Sequence, residues 1–311
     1  MSYRLRLDKS LAEGVPGVVC EQLDRALADL NEKGTDIAEA VHQVRKRCKK
    51  VRGVLRLVRG SLSASYRQEN VWFRDLARRL SGPRDAQAML ECFDQLREAF
   101  SGDLEPGAFA GVRQALAERR TEVHEGGELA ERVADTVEAL QAARVRVLGW
   151  RLDDAGFAAL EQGLSRTYRR ARKAQRVAYA KPTPEHFHEW RKRVKYHWYH
   201  LRLLRELWPA PVKALAAQAR QLADLLGDDH DLAVLQETLR RDQEALGDPG
   251  QLDTLAGLAR RRQDQLRAEA WALGWRLFAD KPRYFCQRLH HYWQAAQRDA
   301  ARAAGLSGPG C

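Results

Sequence analysis

Apolar residues recur three and four positions apart along most of the chain, as in ELAERVADTVEALQAARVRVLGW at 128–150. This is the period of an amphipathic helix, not the alternation of a half-buried strand. Leu, Ala, Arg, Glu and Gln dominate, β-branched residues are few, and no convincing strand is found. The pattern is interrupted at Gly34, Gly60, Ser81-Gly82-Pro83, Gly102 to Gly107, Gly126-Gly127, Asp153-Asp154, Pro182 to Pro184, Pro209 to Pro211, Gly227, Gly247 to Gly250 and Pro282, where such residues end helices. About ten to twelve helices are predicted, and long helices on short connections favour antiparallel bundles, an all-α fold.

The chain also repeats itself. An offset of 146 residues (188 − 42) aligns 42–85 with 188–231 without a gap, placing His42, Arg45, Lys46, Arg47, Lys49, Arg56, Arg59, Arg74 and Asp85 on His188, Arg191, Lys192, Arg193, Lys195, Arg202, Arg205, Arg220 and Asp231. Apolar matches accompany them, such as Leu55 on Leu201 and Leu80 on Leu226. The duplication predicts two bundles, 1–150 and 151–311, related by an internal pseudo-two-fold and joined near Gly149 to Ala155.

On a helical wheel His42, Arg45, Lys46, Lys49, Arg52 and Arg56 share one stripe of about 21 Å, while Val44, Cys48, Val51, Val54, Leu55 and Val58 lie opposite. The second copy repeats the stripe with His188, Arg191, Lys192, Lys195 and Arg202, and has Trp198 and Tyr199 in place of Arg52 and Gly53. Residues 42–59 hold eight Lys/Arg and no acid. Ordinary solvated faces mix signs, because like charges three or four apart cost a few tenths of a kcal/mol per pair. Keeping that repulsion in both copies points to an external polyanion. A third cluster, Arg166, Arg169, Arg170, Arg172, Lys173 and Arg176, precedes the second stripe.

Composition narrows the class. The 53 Lys+Arg against 42 Asp+Glu leave a net charge of +11, and 44% hydrophobic residues support a packed core. No run approaches the roughly 18 apolar residues of a membrane span, and MSYRLRLDKS lacks the apolar run of a secretory signal, so a cytoplasmic protein is expected. Cys20, Cys48, Cys92, Cys286 and Cys311 are scattered, without a CxxC pair, and read as reduced thiols. The C-terminal GLSGPGC reads as a disordered tail.

These residues resemble the CHAD domain, the conserved histidine α-helical domain. The resemblance rests on HxxRKxxK at His42 to Lys49 and again at His188 to Lys195, on the turns LSGPRD (80–85) and LGDDHD (226–231), and on the Tyr-Arg-Arg-Ala-Arg-Lys run at 168–173. It implies a pair of four-helix bundles around a basic channel that binds inorganic polyphosphate without catalysis or cofactor, in the stand-alone form, with association to polyphosphate granules and their proteins. The polymer contacts it implies are Arg45, Lys46, Lys49, Arg56, Arg169, Arg170, Lys173, Arg191, Lys192, Lys195 and Arg202. The stripes and the duplication add His42, Arg52, Arg74, His188, Tyr199 and Arg220, and the third cluster adds Arg166 and Arg176. Where the family turn has Arg, the second copy has His230, and its local acid is expected to weaken anion contact.

Rival readings follow from the same residues. Nucleic acid is one, since Tyr199 and Trp198 offer stacking faces beside the second stripe, although the eight tryptophans are spread as in core helices. Metal binding is disfavoured because each repeat histidine is followed by Arg and Lys instead of a second ligand, so no metal is expected. A polyphosphatase or kinase lacks any phosphate loop or nucleophile motif. Asp228, Asp229 and Asp231 read as acids at a helix N-terminus, with Asp85 and Asp231 capping or orienting an Arg. His290-His291 reads as packing. Protonation of His42 and His188 is expected to tighten binding below about pH 6.5.

Overall fold

The structure, a computed structural model, describes residues 3–32, 36–80, 84–105, 107–124 and 128–303. These form twelve helices: α1 (Leu11–Asn31), α2 (Ile37–Leu57), α3 (Ser63–Arg79), α4 (Arg84–Ala99), α5 (Ala110–His124), α6 (Glu128–Leu148), α7 (Ala158–Ala180), α8 (Pro184–Leu203), α9 (Pro209–Arg241), the single turn α10 (Gln243–Leu246), α11 (Pro249–Leu277) and α12 (Pro282–Ala303). The protein is all-α. The GLSGPGC tail, Cys311 with it, and the turn at 81–83 lie outside the described residues.

Local chemistry starts the helices where the punctuation predicts. Ser10 and Glu13 form a reciprocal capping box on α1, and the Asp36, Thr183 and Asp248 side chains accept from the first-turn amides of α2, α8 and α11. Proline opens α8, α9 and α11, where its missing N–H costs nothing.

At Gly227 the structure departs from the expected break: α9 runs unbroken through it for 33 residues. The first repeat has Pro83 in the LSGPRD turn, whereas the second has Asp229 at the matching place. A glycine inside a helix costs only about 1 kcal/mol relative to alanine, far less than the burial of Leu222, Leu226, Leu232 and Leu235 contributes. Residues 228–231 are therefore mid-helix. Asp229 caps no helix: it is buried and accepts from Arg267 Nε at 2.6 Å.

Two cores hold the helices. The larger takes residues from α1, α2, α3, α6, α7, α8, the first turns of α9, the end of α11 and α12, while the smaller joins α4 and α5 to the rest of α9, α10 and α11. Residues 149–157 connect α6 to α7, and Asp153 N donates to Ser61 O at 2.8 Å. Both cores draw on residues before and after 150, so residues of the two halves share an interior. The shared interior brings the two repeats face to face.

Four of the five cysteines, Cys20, Cys48, Cys92 and Cys286, are buried free thiols. His290 stacks on Phe157 at 4.8 Å, as a packing residue does. The tryptophans are less uniformly interior than their spread suggests, since Trp208, Trp271 and Trp275 are exposed.

Candidate functional site

α2 exists as a helix because of its apolar face. Val41, Val44, Cys48, Val51, Val54, Leu55 and Val58 are all buried, each contributing roughly 1.5–3 kcal/mol, against a few tenths per like-charge pair on the other face. Burial wins, and the cations are held out in a row. α7 packs across the C-terminal end of α2, where a Cβ on Gly163 would fall 1.9 Å from Leu57 O.

α2 and α8 meet where Gly53 faces Tyr199. A Cβ on Gly53 would come within 2.8 Å of Tyr3 Oη and 2.9 Å of Tyr199 Cβ, so the close approach requires glycine. His200 Nε2 sits 3.2 Å from Gly53 O across the same contact. Gly53 and Tyr199 are counterparts in the duplication, and so are Lys49 and Lys195, which lie within electrostatic reach of each other.

The cations around this contact form a connected cluster. Lys49 opens to solvent, yet the protein enclosing it, with Lys195, Arg45, Arg191 and Arg52 around it, pushes its ammonium down to about 8. Lys195 is lowered too, by burial and by Arg191 and Lys46, with Asp224 and Asp231 opposing. Burial, together with Arg202, Arg47, Lys46 and Arg25, brings Lys50 to about 8. On the other flank burial lowers Arg56 to about 10, with Arg52 and Arg193 adding to the effect. Arg170 is lowered by burial and by Arg193, Arg166 and Arg59. The chain of neighbours thus runs from Arg191 and Lys195 through Lys49, Arg52, Arg56 and Arg193 to Arg170, Arg166 and Arg59.

Most expected contacts join this cluster, but not all. Arg45, Lys46, Lys49, Arg52, Arg56, Arg166, Arg170, Arg191, Lys195 and Arg202 belong to it, and Lys192 and His188 flank it on α8. His42 is half-buried at the start of the α2 stripe. Exposed Arg220 lies near Arg202 but also 3.4 Å from Asp224. Arg169, Lys173 and Arg176 are exposed along α7, and nothing among the described residues ties them to α2 or α8. Arg74 is exposed on α3 and held in two hydrogen bonds by Asp75.

Two expectations are corrected. Tyr199 is buried, edge-on to Tyr3 at 5.8 Å and stacked on Trp198 at 5.0 Å. It fills the space that Gly53 leaves and does not stand on the cationic face. His188 is half-buried, its Nδ1 unpartnered and its ring 4.1 Å from that of His230. Burial, then His230, Lys192 and Arg191, lower His188 to about 4, and burial with Arg191 and Lys192 does the same to His230. Both are neutral through the range in which tightening was expected, so that effect of His188 moves from pH 6.5 to about pH 4.

Several members were missed by sequence reasoning. Lys50, Arg59, Arg193, Tyr66 and Tyr196 enter, with Arg56 over the Tyr196 ring at 3.8 Å and Arg59 over Tyr66 at 4.6 Å. Arg59 and Arg193 both recur in the duplication, which was a usable signal. Recurrence alone does not mark a ligand contact, however: Arg47, the counterpart of Arg193, is locked by two hydrogen bonds to Asp29 of α1.

The acids are unevenly placed. Among the described residues no carboxylate lies within ion-pair distance of Arg45, Lys46, Lys49, Arg52 or Arg56, whereas on α8 Lys192 pairs with Glu189 at 2.7 Å and Arg191 with Asp231 at 3.8 Å. The Asp231 contact realises the orienting role expected of it. The Asp85 side chain lies outside what is described.

A family model for the CHAD domain matches residues 18–240, from within α1 to near the end of α9. The chain belongs to the CHAD domain family. The matched part of this CHAD domain contains both basic stripes, α7 and the Gly53 contact, while α11 and α12 follow it. No curated protein matches the chain. Membership is consistent with a polyphosphate-related function and with a family that is generally a binding one. Among the described residues no helix is long and apolar enough to cross a membrane, and no group of three His, Cys, Asp or Glu is placed to hold a metal ion.

Proposed function

We propose that this CHAD domain binds long-chain inorganic polyphosphate, without catalysis, along the cationic cluster where α2 and α8 meet, with Arg166 and Arg170 of α7 extending it. The two repeats act as one site, because Lys49 and Lys195 contribute to the same patch. The observation carrying this reading is the uncompensated row Arg45, Lys46, Lys49, Arg52 and Arg56: charges kept together without acids are relieved by a bound polyanion. A phosphate polymer suits them, since binding releases its condensed counterions, and guanidinium forks can bridge phosphoryl oxygens.

The aromatic residues favour phosphate over nucleobases. Tyr196 and Tyr66 each hold a guanidinium against a ring face, and Trp198 is stacked on Tyr199 with Arg202 at 4.9 Å. The rings are used to position arginines, not to offer stacking platforms. In the cytoplasm such a module would bring its protein to polyphosphate-rich granules and the proteins there. Calorimetric titration at about 150 mM salt with long-chain polyphosphate, against single-stranded DNA of equal total charge, tests the ligand class. Tight binding of polyphosphate and weak binding of DNA is expected; equal affinity would mean an unshaped basic surface and would overturn the proposal.

A further inference from the structure

Besides Asp231, which pairs with Arg191, a second carboxylate of the described residues stands against the cationic cluster. Glu189 of α8 accepts from Lys192 Nζ at 2.7 Å and from Arg193, and Arg170 Nη2 of α7 approaches to 3.9 Å. Arg193 and Arg170 are the residues that link Arg56 to Arg166 and Arg59. Burial alone would raise the Glu189 carboxyl, but the bonds from Lys192 and Arg193 hold it below its ordinary value, so it is ionised at neutral pH. The pairs to Lys192 and Arg193 have the spacing of ordinary helix-stabilising pairs, worth about 0.3–0.5 kcal/mol. Arg170 does not fit that description, because it comes from another helix.

The duplication supplies the control. The counterpart of Glu189 is Gln43, a neutral amide that bonds to Glu39, so this position of α2 brings no carboxylate to Arg45, Lys46, Lys49, Arg52 or Arg56. Two stripes built from one pattern therefore differ at this position by one full negative charge.

We propose that Glu189 is a tethered counter-anion that sets the specificity of the site, shutting out small phosphates and yielding only to a polymer. The inference rests on the polyphosphate reading above. A tethered carboxylate has a high effective concentration at its cations, so a single orthophosphate must displace it unaided. A long chain engages the uncompensated α2 row at the same time, and that contact supports the displacement.

Titration of wild type and Glu189→Gln with orthophosphate and with long-chain polyphosphate, with helicity checked by circular dichroism, tests this. Glu189→Gln is expected to tighten orthophosphate binding about tenfold and polymer binding only about two- to threefold, narrowing the discrimination. Equal gains for both, or no gain for either, would overturn it. Gln43→Glu is the converse variant, read if Glu189→Gln folds poorly: it is expected to weaken orthophosphate more than polymer, and equal losses would again count against the proposal. Wild type that fails to bind the polymer defeats the polyphosphate reading, while the orthophosphate arm still decides whether Glu189 acts as a counter-anion.

Discussion

The two basic stripes began as one pattern and ended in different electrostatic states. On α2 five cations stand without an acid in ion-pair range among the described residues; on α8 Glu189 and Asp231 hold Lys192, Arg193 and Arg191, and Asp224 and Asp231 act on Lys195. The interiors differ as well. Where α2 buries Val51 and Val54, α8 buries His197 and His200 at the matching positions. A duplicated sequence thus conserves the row of charges more strictly than what neutralises it, and the α2 side carries the larger share of unspent attraction for an anion.

The most damaging way to break the comparison is to part α7 from α2. Gly163→Ala sets a methyl against the backbone oxygen of Leu57, which cannot move aside as a side chain could. A loss of about 3 kcal/mol or more is expected, read from the urea midpoint. An unchanged midpoint would show that the close approach is not maintained in solution.

Acid strikes the α8 side first. Burial lowers His197 and His200 to about 3, while unfolded histidine titrates near 6.5. Between those values the unfolded state binds more protons, so stability falls as pH drops below 6.5, by up to about 1.4 kcal/mol per pH unit for each histidine. His197 has neither ring nitrogen paired and lies among Tyr168, Phe278 and Phe285. His188 and His230, lowered to about 4, add to the same decline, so His197→Leu should remove about a quarter of it between pH 6.5 and 5, as measured by denaturation at both. An equally steep decline in the variant would place the acid sensitivity elsewhere.

Alkali provides the smallest effect. Lys49 and Lys50 are pushed down to about 8, so both lose charge between pH 7 and 9 and polyphosphate binding weakens, by about tenfold at most. Because a bound anion favours the charged ammonium, binding at pH 8 should take up protons, detectable as an enthalpy that varies with buffer ionisation heat. Lys49→Arg should reduce that uptake.

Much of this was legible in the chain. The wheel placed Val44, Cys48, Val51 and Val54 on one face and the cations on the other, and both faces lie where the 3.6-residue period puts them. The duplication aligned Lys49 with Lys195, which lie within electrostatic reach of each other. What it could not show depends on contacts distant in sequence. Tyr199 lies near Lys195 on the wheel, but the space left by Gly53 draws it into the interior. Gly227 has the composition of a break, yet leucines packed on both sides carry α9 through it. The bond between Asp229 and Arg267 and the approach of Arg170 to Glu189 each join separate helices, and no local pattern announces them.

The most direct test neutralises each side in turn. Long-chain polyphosphate is titrated at several salt concentrations into wild type, Lys46→Ala/Lys49→Ala and Lys192→Ala/Lys195→Ala. The α2 variant should lose the more affinity, about 10- to 100-fold, with a clear drop in salt slope, and the α8 variant several-fold less because Lys192 is already paired. Equal losses would contradict the asymmetry, and no loss in either variant would remove the site from the meeting of α2 and α8.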